Sequence, residues 1–190
     1  LLSNTLPRFG ITTTFIDPDD PENFSKAVQE NTRAFFAESL GNPKLDVLDL
    51  KAISANAKKA KVPFVVDNTV ATPALLNPIA HGANIVIHSL TKYISGNGTS
   101  MGGIIIDAGT FDWGNGQFPE FTTPSPSYHG LNYHEALGAI AFIARVRVEG
   151  LRDLGSAPSP FNSFQVLQGL ETLQVRMAQH SSNAQELAEW

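Results

Sequence analysis

Four polar residues that could carry out chemistry follow two short apolar runs near the middle of the chain. They are Asp67, Ser89, Thr91 and Lys92. The runs, residues 62–66 and 84–88, have the length of strands that are buried on both faces of a parallel sheet. In an open parallel sheet, ligands bind beyond the carboxyl ends of the strands, and neighbouring strands lie ~5 Å apart. The spacing therefore predicts that all four side chains meet in one crevice.

These residue types fit the chemistry of an aldehyde cofactor. A lysine can form a Schiff base with an aldehyde, and a buried carboxylate such as Asp67 can pair with a protonated ring nitrogen. The hydroxyl groups of Ser89 and Thr91 could bind a phosphate, and the glycine-rich residues 93–98 allow the backbone to approach a ligand closely. Each residue alone also has a structural explanation, as a cap, a turn residue or, for Lys92, a solvated side chain. Their occurrence together in one unit favours a binding site.

The segment between the two apolar runs predicts the connection that positions these residues. Residues 74–81 have room for about two helical turns, and Gly82 is a typical stop signal. Strand, helix and strand in this order form a crossover unit, in which the two strands are parallel. Residues 102–107 contain three consecutive isoleucines and predict a further strand. The alternation of strands and helices indicates an α/β fold.

Further elements are predicted on both sides of the crossover unit. Before it, the sequence predicts a strand at the end of the segment 2–16, over residues 11–16, a helix over 19–29, a strand over 32–38, a turn at 41–43 and a helix capped by Asp49. After it, the sequence predicts a loop over 108–131, a helix over 133–149 and a long helix that begins after Ser159 and continues almost to residue 190. Because the loop contains five aromatic residues, we expect it to be ordered and functional.

The composition of the 190 residues excludes several function classes. The chain has no cysteine, which excludes disulfide scaffolds, thiolate zinc sites and cysteine nucleophiles. The net charge of −5 offers no basic surface for nucleic acid or anionic lipid, and no apolar run approaches the ~20 residues that span a bilayer. The five histidines lack paired metal-ligand spacing, so no metal site is predicted. Since no signal-peptide pattern occurs, the expected location is the cytoplasm.

Several stretches of the chain together resemble one enzyme family. Val-Asp-Asn-Thr at 66–69, followed by Ser-Leu-Thr-Lys-Tyr at 89–93 and a glycine-rich turn, resembles the Cys/Met-metabolism family of pyridoxal-phosphate enzymes. Residues 38–43 are similar to the Glu-Ser-x-x-Asn-Pro element of that family, and residues 159–161 and 167–173 to its link into the C-terminal domain. The resemblance covers essentially the whole chain. It implies the type I, aspartate-aminotransferase-like fold, with a central and mostly parallel sheet flanked by helices.

The resemblance also implies a role for each site residue. The implied cofactor is pyridoxal 5'-phosphate, with Lys92 as the Schiff-base lysine and the proton shuttle at Cα and Cβ. Asp67 would keep the ring nitrogen protonated, and Ser89 and Thr91 would bind the phosphate. Asn42 would hydrogen-bond the phenolic oxygen of the ring.

The long loop resembles one branch of the family. Residues 109–113, 118–122 and 126–130 are similar to the insertion of O-acetylhomoserine sulfhydrylases, whereas cystathionine lyases and synthases usually have a shorter segment. The implied reaction is a γ-replacement, in which acetate leaves O-acetyl-L-homoserine and sulfide or methanethiol enters, giving homocysteine or methionine. A cystathionine γ-synthase or γ-lyase type of activity is the alternative. The implied partners are an amino-acid substrate and further copies of the chain, in a homotetramer with shared active sites.

The same resemblance implies how the chain is divided. Residues 1–155 would be part of the large cofactor-binding domain, and residues 156–190 would form the linker and the first long helix leading into the C-terminal domain. The N-terminal arm of the family, the tyrosine that stacks on the cofactor and the arginine that binds the substrate carboxylate would lie outside residues 1–190. We therefore expect residues 1–190 alone, as a partial copy incomplete at both ends, to be inactive.

Two further interpretations belong to other classes of protein. Residues 89–92 fit the Ser-x-x-Lys pattern of penicillin-binding enzymes, but the partner motifs Ser-Asp-Asn and Lys-Thr-Gly do not occur in the chain. A non-catalytic relative is the other interpretation, and only Asn97 favours it, because the family commonly has histidine at this place after the second glycine. We expect Asn97 to alter the turn rather than to abolish catalysis.

Overall fold

A four-stranded sheet forms the centre of the computed structural model, which describes residues 1–190. The strands, in their order across the sheet, are β1 (Phe35–Glu38), β2 (Phe64–Asp67), β3 (Ile85–Ser89) and β4 (Gly103–Asp107). The first three strands are parallel, and β4 is antiparallel to β3. The predicted parallel pairing of the two apolar runs, the predicted strand over 102–107 and the α/β fold class are therefore confirmed.

The central strands β2 and β3 pack on both faces, because alternate residues of the apolar runs enter different clusters. Phe64 and Val66 of β2 pack in one cluster with Ile53, and Val65 faces a second cluster that contains Ile85 and Trp113. A period of two places neighbouring side chains on opposite faces of a strand. An apolar run without polar interruptions is thus the pattern that this position in the fold requires.

Helices flank the sheet and connect its strands. They are α1 (Glu22–Lys26), α2 (Leu50–Ala60), α3 (Thr72–Leu75), α4 (Pro119–Thr122), α5 (Tyr133–Leu137), α6 (Ala141–Arg145), α7 (Pro160–Glu171) and α8 (Leu173–Glu189), and a π-helical segment (Val146–Asp153) continues α6. Two predicted N-caps are confirmed: Ala52 N–H donates to Asp49 Oδ1 (3.0 Å), and Asn162 N–H donates to Ser159 Oγ (3.1 Å). None of the helices has the length and apolar character needed to cross a membrane.

The predicted strand over residues 11–16 is wrong. This segment has no ladder partner, because β1 pairs only with β2 and β4 pairs only with β3. Ile11 and Phe15 are 50% and 66% exposed. A high strand propensity expresses how well a side chain packs on a half-buried pleated surface. Without such a surface, β-branched residues alone do not make a strand.

Three predicted helices are present but interrupted. The predicted helix over 74–81 consists of α3 and one 3-10 turn (Pro78–His81), which ends at Gly82 as expected. The predicted helix over 133–149 breaks at Gly138, which has a φ of 52°. The predicted long helix after Ser159 breaks at Thr172, where the hydroxyl group donates to the carbonyl of Gly169 (3.3 Å). Local hydrogen bonding by a threonine and positive φ at a glycine compete with the regular helix.

The aromatic loop over residues 108–131 is ordered and includes α4. The rings of Trp113, Phe118 and Phe121 are buried, and Trp113 stacks on Phe142 of α6 with a centroid distance of 5.0 Å. These rings lie in the core between β3 and the helices that follow the loop. The structure therefore gives the loop aromatics a packing role.

Candidate active site

A cleft of about 300 Å³ opens at the carboxyl ends of the three parallel strands. Its lining consists of Glu38, Leu40, Asn42, Asp67, Thr69, Val70, Ser89, Lys92 and Tyr93. The last residues of β1 and β2, Glu38 and Asp67, are aligned in register, and Asp67 is aligned with Ile87 of β3. β1 and β2 therefore end at the same level, β3 continues two residues further to Ser89, and the three strand ends direct several polar groups into one space. Small-molecule sites in proteins start at about this volume.

Asp67 lies at the end of β2, as predicted, and is fixed by the residues that follow it. Thr69 N–H donates to Asp67 Oδ1 (2.9 Å). Ser89 N–H, at the end of β3, donates to the hydroxyl of Thr69 (2.8 Å). Thr69 thus connects the ends of the two neighbouring strands. Oδ2 of Asp67 accepts no hydrogen bond within the chain and is available to a ligand.

The two predicted phosphate-binding hydroxyls lie side by side. Ser89 Oγ and Thr91 Oγ1 are 2.5 Å apart and share a hydrogen bond. Ser89 lines the cleft, and Thr91 is joined to it through this bond. Each hydroxyl group offers one proton and two lone pairs. The pair can therefore donate to one anionic group placed beside it.

Lys92 lies in the turn that directly follows β3, and its side chain lines the cleft. Its ammonium group makes no hydrogen bond or ion pair with the chain, in contrast to Lys26, which pairs with Asp20 (3.0 Å). An exposed lysine without a partner is a common surface residue. Here its unpaired amino group lies in a cleft that a carboxylate and hydroxyl groups also line, which is the arrangement that the sequence predicts.

Asn42 also lines the cleft, after the end of β1. Asn42 N–H donates to Glu38 Oε2 (3.0 Å), so that the segment folds back over the end of the strand. The peptide bond between Asn42 and Pro43 is cis. The side chain of Asn42 is exposed and makes no hydrogen bond with the chain. The structure therefore brings Asn42 to the same cleft as Asp67 and Lys92.

Two polar cleft residues were missed by the reasoning from sequence. Glu38 ends β1 and points to the face opposite the buried Phe35 and Ala37. The rule that ligands bind at the carboxyl ends of strands applies to β1 as it does to β2 and β3, so it could have found Glu38. Thr69 belongs to the Val-Asp-Asn-Thr stretch, but its hydroxyl group connects two strand ends that only the folded chain brings together.

His88, next to the site, is a packed residue. Its side chain is 4% exposed, and Nδ1 has no hydrogen-bond partner. Burial lowers the pKa of His88 below its usual value of 6.5, while the backbone of Asn68 and the carboxylate of Asp67 act in the opposite direction. Burial therefore favours the neutral form of the imidazole.

Comparison with known proteins gives the family. The sequence profile of the Cys/Met metabolism PLP-dependent enzymes matches residues 1–190, the full length of the chain. The chain belongs to this family. Its cofactor, pyridoxal phosphate, and the type I fold predicted from the resemblance agree with this membership.

The curated relatives of the chain carry related names. An O-acetyl-L-homoserine sulfhydrylase of Leptospira meyeri is 58% identical over 100% of this chain and 45% of its own length. A homocysteine/cysteine synthase of Saccharomyces cerevisiae is 48% identical over 96% of this chain and 42% of its own length. The chain therefore spans less than half the length of these relatives.

Solved structures of the family have the same fold. A structure from Campylobacter jejuni, named for O-acetylhomoserine (thiol)-lyase, superimposes with a TM-score of 0.92 at 44% identity, over 98% of this chain and 47% of that one. It contains a pyridoxyl-lysine monophosphate residue. The metB protein of Corynebacterium glutamicum superimposes with a TM-score of 0.75 at 28% identity, over 99% of this chain and 41% of that one.

Proposed function

We propose that the protein carries out a pyridoxal-phosphate-dependent γ-replacement on O-acetyl-L-homoserine. Sulfide or methanethiol would replace acetate and give L-homocysteine or methionine, in the biosynthesis of methionine and cysteine. The names of the relatives, at identities up to 58%, support this reaction. The observation that carries the proposal is that the unpaired amino group of Lys92 lines the same cleft as Asp67 and Ser89.

The groups in the cleft fit pyridoxal phosphate. This cofactor, when bound, supplies an electron sink for the negative charge that develops at substrate carbons. The Lys92 amine has no partner in the chain and is free to react with an aldehyde. The available Oδ2 of Asp67 would accept a hydrogen bond from the protonated ring nitrogen. Ser89 and Thr91, which share a hydrogen bond in this structure, would turn their hydroxyl protons to the phosphate. Asn42 would donate its amide to the phenolic oxygen.

Lys92 would also move protons. Its amine would take the proton from Cα and would give that proton up before it takes one from Cβ. Loss of the Cβ proton would let acetate leave Cγ. Sulfide or methanethiol would then bond to Cγ, and Lys92 would return protons to Cβ and Cα. A flexible four-carbon stem and a compact amine allow one lysine to serve both carbons. The role of Asp67 is to hold its negative charge in place throughout, and the fixed contact with Thr69 N–H keeps the carboxylate oriented.

We further propose the setting in which this chemistry takes place. Residues 1–155 would belong to the large cofactor-binding domain, and residues 156–190 would lead into a C-terminal domain. The protein would act in the cytoplasm as a homotetramer whose subunits share active sites. The length of the relatives, of which this chain covers 45% in the Leptospira meyeri protein, supports further family elements around the cleft.

Trapping with borohydride tests the site and the activity together. In the protein with its natural flanking sequence, reduction in the presence of pyridoxal phosphate should attach the cofactor to the peptide that contains Lys92. Lys92→Ala should abolish both the attachment and the release of acetate from O-acetylhomoserine, because no other amine lines the cleft. Lys59→Ala, at an exposed position of α2, is the matched control and should keep both.

The outcomes separate the possible functions. Attachment at another lysine, or acetate release by Lys92→Ala at the rate of the wild type, would contradict the assignment of Lys92. Attachment at Lys92 without any reaction of O-acetylhomoserine would support the cofactor site but contradict the proposed substrate.

A further inference from the structure

The turn that carries Lys92 is held by its own hydrogen bonds. Gly96 N–H donates to the carbonyl of Lys92 (2.9 Å), and Ser95 N–H donates to the carbonyl of Leu90 (3.2 Å). The carbonyl groups of Tyr93 and Ile94 are not used in these bonds. They point toward the break between α7 and α8, where they meet a cationic side chain.

Arg176 of α8 binds this turn and the end of α7 at the same time. Its Nη1 donates to the carbonyl of Tyr93 (2.7 Å), and its Nη2 donates to the carbonyls of Gly169 (2.7 Å) and Ile94 (3.4 Å). Its Nε donates to the hydroxyl of Thr172 (3.1 Å). All three guanidinium nitrogens are thus used, and two of the bonded carbonyls lie one and two residues after Lys92.

Two glycines allow this close approach. A Cβ atom at Gly96 would lie 2.7 Å from Cζ of Arg176, and a Cβ atom at Gly169 would collide with the carbonyl oxygen of Ser95. Below these contacts, Ile94 packs in a buried cluster with Leu173. The turn after Lys92 is therefore fixed by charge-assisted hydrogen bonds on one side and by apolar packing on the other.

We propose that Arg176 is a positioning residue for Lys92, a proposal that rests on the proposed function. Arg176 does not line the cleft, and it acts through the backbone of residues 93–96. The long side chain of Lys92 is flexible, so the position of its amine depends on how firmly its Cα is held. By binding three carbonyls from two segments, Arg176 holds the turn in the orientation that directs Lys92 into the cleft.

The geometry of the guanidinium group explains why arginine is needed. Its donors form a rigid planar fork, whereas the ammonium group of a lysine is a single point with three rotatable donors. A lysine at position 176 would keep the charge and the helix propensity but could not bind Tyr93, Gly169 and Thr172 in one fixed arrangement. Arg176→Lys therefore separates the fork geometry from the charge.

The first experiment measures kinetics and chemical rescue in the cofactor-loaded protein with its natural flanking sequence. For Arg176→Ala, kcat should fall on the order of 10- to 100-fold with KM changed little, because a misplaced catalytic group slows chemistry more than it weakens binding. The kcat of Arg176→Lys should lie between that of Arg176→Ala and that of the wild type. Added guanidinium ion should restore part of the activity of Arg176→Ala and should not raise that of the wild type.

The second experiment measures amide hydrogen exchange in the protein without cofactor. Exchange at residues 93–96 should be faster in Arg176→Ala than in the wild type, while exchange in α2 (Leu50–Ala60) should stay the same. Arg147→Ala removes an exposed arginine that does not line the cleft and is the matched control. It should leave kinetics and exchange unchanged.

Each outcome decides the proposal. If Arg176→Lys folds and keeps both the kcat and the exchange of the wild type, the proposal is overturned. If both Arg176 variants lose their folded structure, the residue is structural and the proposal is overturned as well. If borohydride fails to attach the cofactor to Lys92 in the wild type, the proposed function fails instead, so the two failures are distinguishable.

Discussion

At the scale of single residues, the proposed function depends on the charge of Asp67. Asp67→Asn keeps the shape of the side chain and the acceptor for Thr69 N–H, but it removes the negative charge. A ring nitrogen would then lose the partner that keeps it protonated. We expect kcat to fall on the order of 10- to 100-fold, the effect of one charge-assisted hydrogen bond, with cofactor still bound.

The control for this prediction is another aspartate that serves as a cap. Asp49→Asn replaces the N-cap of α2 with an equally good capping residue, so activity and stability should stay near those of the wild type. Steady-state rates of acetate release measure both variants. Wild-type rates in Asp67→Asn would show that the carboxylate has no electrostatic role.

The burial of His88 leads to a second prediction at the residue level, which concerns the pH dependence of stability. Because burial lowers its pKa in the folded chain, the unfolded chain binds more protons just below about pH 6.5. The contribution of His88 to the free energy of unfolding is therefore complete above this pH and falls as the pH decreases toward the folded pKa. Below the folded pKa the loss levels off.

Urea unfolding at several pH values between about 7.5 and 5 measures this effect. His88→Asn should reduce the loss of stability on acidification relative to the wild type. His129→Asn is the control, because His129 is exposed and has a positive φ of 56°, which asparagine tolerates. Equal pH dependence in the wild type and His88→Asn would contradict the prediction.

At the scale of elements, Asn68 joins the ends of the strands to the following helix. It is fully buried, accepts from the hydroxyl of Ser39 (2.7 Å) after β1 and donates to the carbonyls of Thr72 (3.1 Å) and Leu76 (2.9 Å) at the two ends of α3. Asn68→Ala leaves these buried groups without partners. We expect it to lower the free energy of unfolding by roughly 2–4 kcal/mol.

Denaturant unfolding tests this prediction. Asn77→Ala, which removes an exposed cap of the 3-10 turn, should cost about 1 kcal/mol or less. The two residues have the same type and differ in burial, so the comparison isolates the cost of orphaned buried groups. A loss for Asn68→Ala as small as that for Asn77→Ala would indicate that water replaces the missing amide.

The elements also show what a sequence can and cannot predict. The apolar runs of β2 and β3 are local patterns, and the rule that ligands bind at strand ends then locates Asp67 and Lys92 without knowledge of the rest. The segment 11–16 has an equally strong strand pattern, but a strand needs a neighbour, and pairing is not encoded within the segment. Local sequence therefore predicts which segments have a strand pattern better than it predicts which of these segments pair in a sheet.

The contact that Arg176 makes across the break between α7 and α8 is a second feature that local sequence does not predict. The apolar period of residues 160–189 continues through Thr172 and predicts one helix. Arg176 contacts the carbonyls of Tyr93 and Ile94, which lie more than eighty positions away in the chain. No periodicity or residue spacing in the sequence indicates this contact. Such contacts depend on how two distant segments meet, which a local pattern does not show.

At the scale of the whole molecule, the two edge strands of the sheet carry exposed apolar side chains. On the edge strand β1, Phe36 is 46% exposed, and on the edge strand β4, Ile104 and Ile105 are 44% and 42% exposed. On α7, Phe161 and Phe164 are 67% and 57% exposed. Open strand edges with apolar side chains are templates for pairing with another chain, and contiguous apolar patches are contact sites.

These surfaces predict how residues 1–190 behave when they are produced alone. We expect self-association, with a mass from light scattering that exceeds that of one chain and rises with concentration, and no turnover of O-acetylhomoserine. Ile105→Lys should reduce the association, because a charged residue on an edge strand opposes edge-to-edge pairing. Lys51→Arg, on the exposed face of α2, should leave it unchanged. A monomer at all concentrations would show that the open edges are protected in solution, and turnover by residues 1–190 would show that the cleft is complete without further family elements.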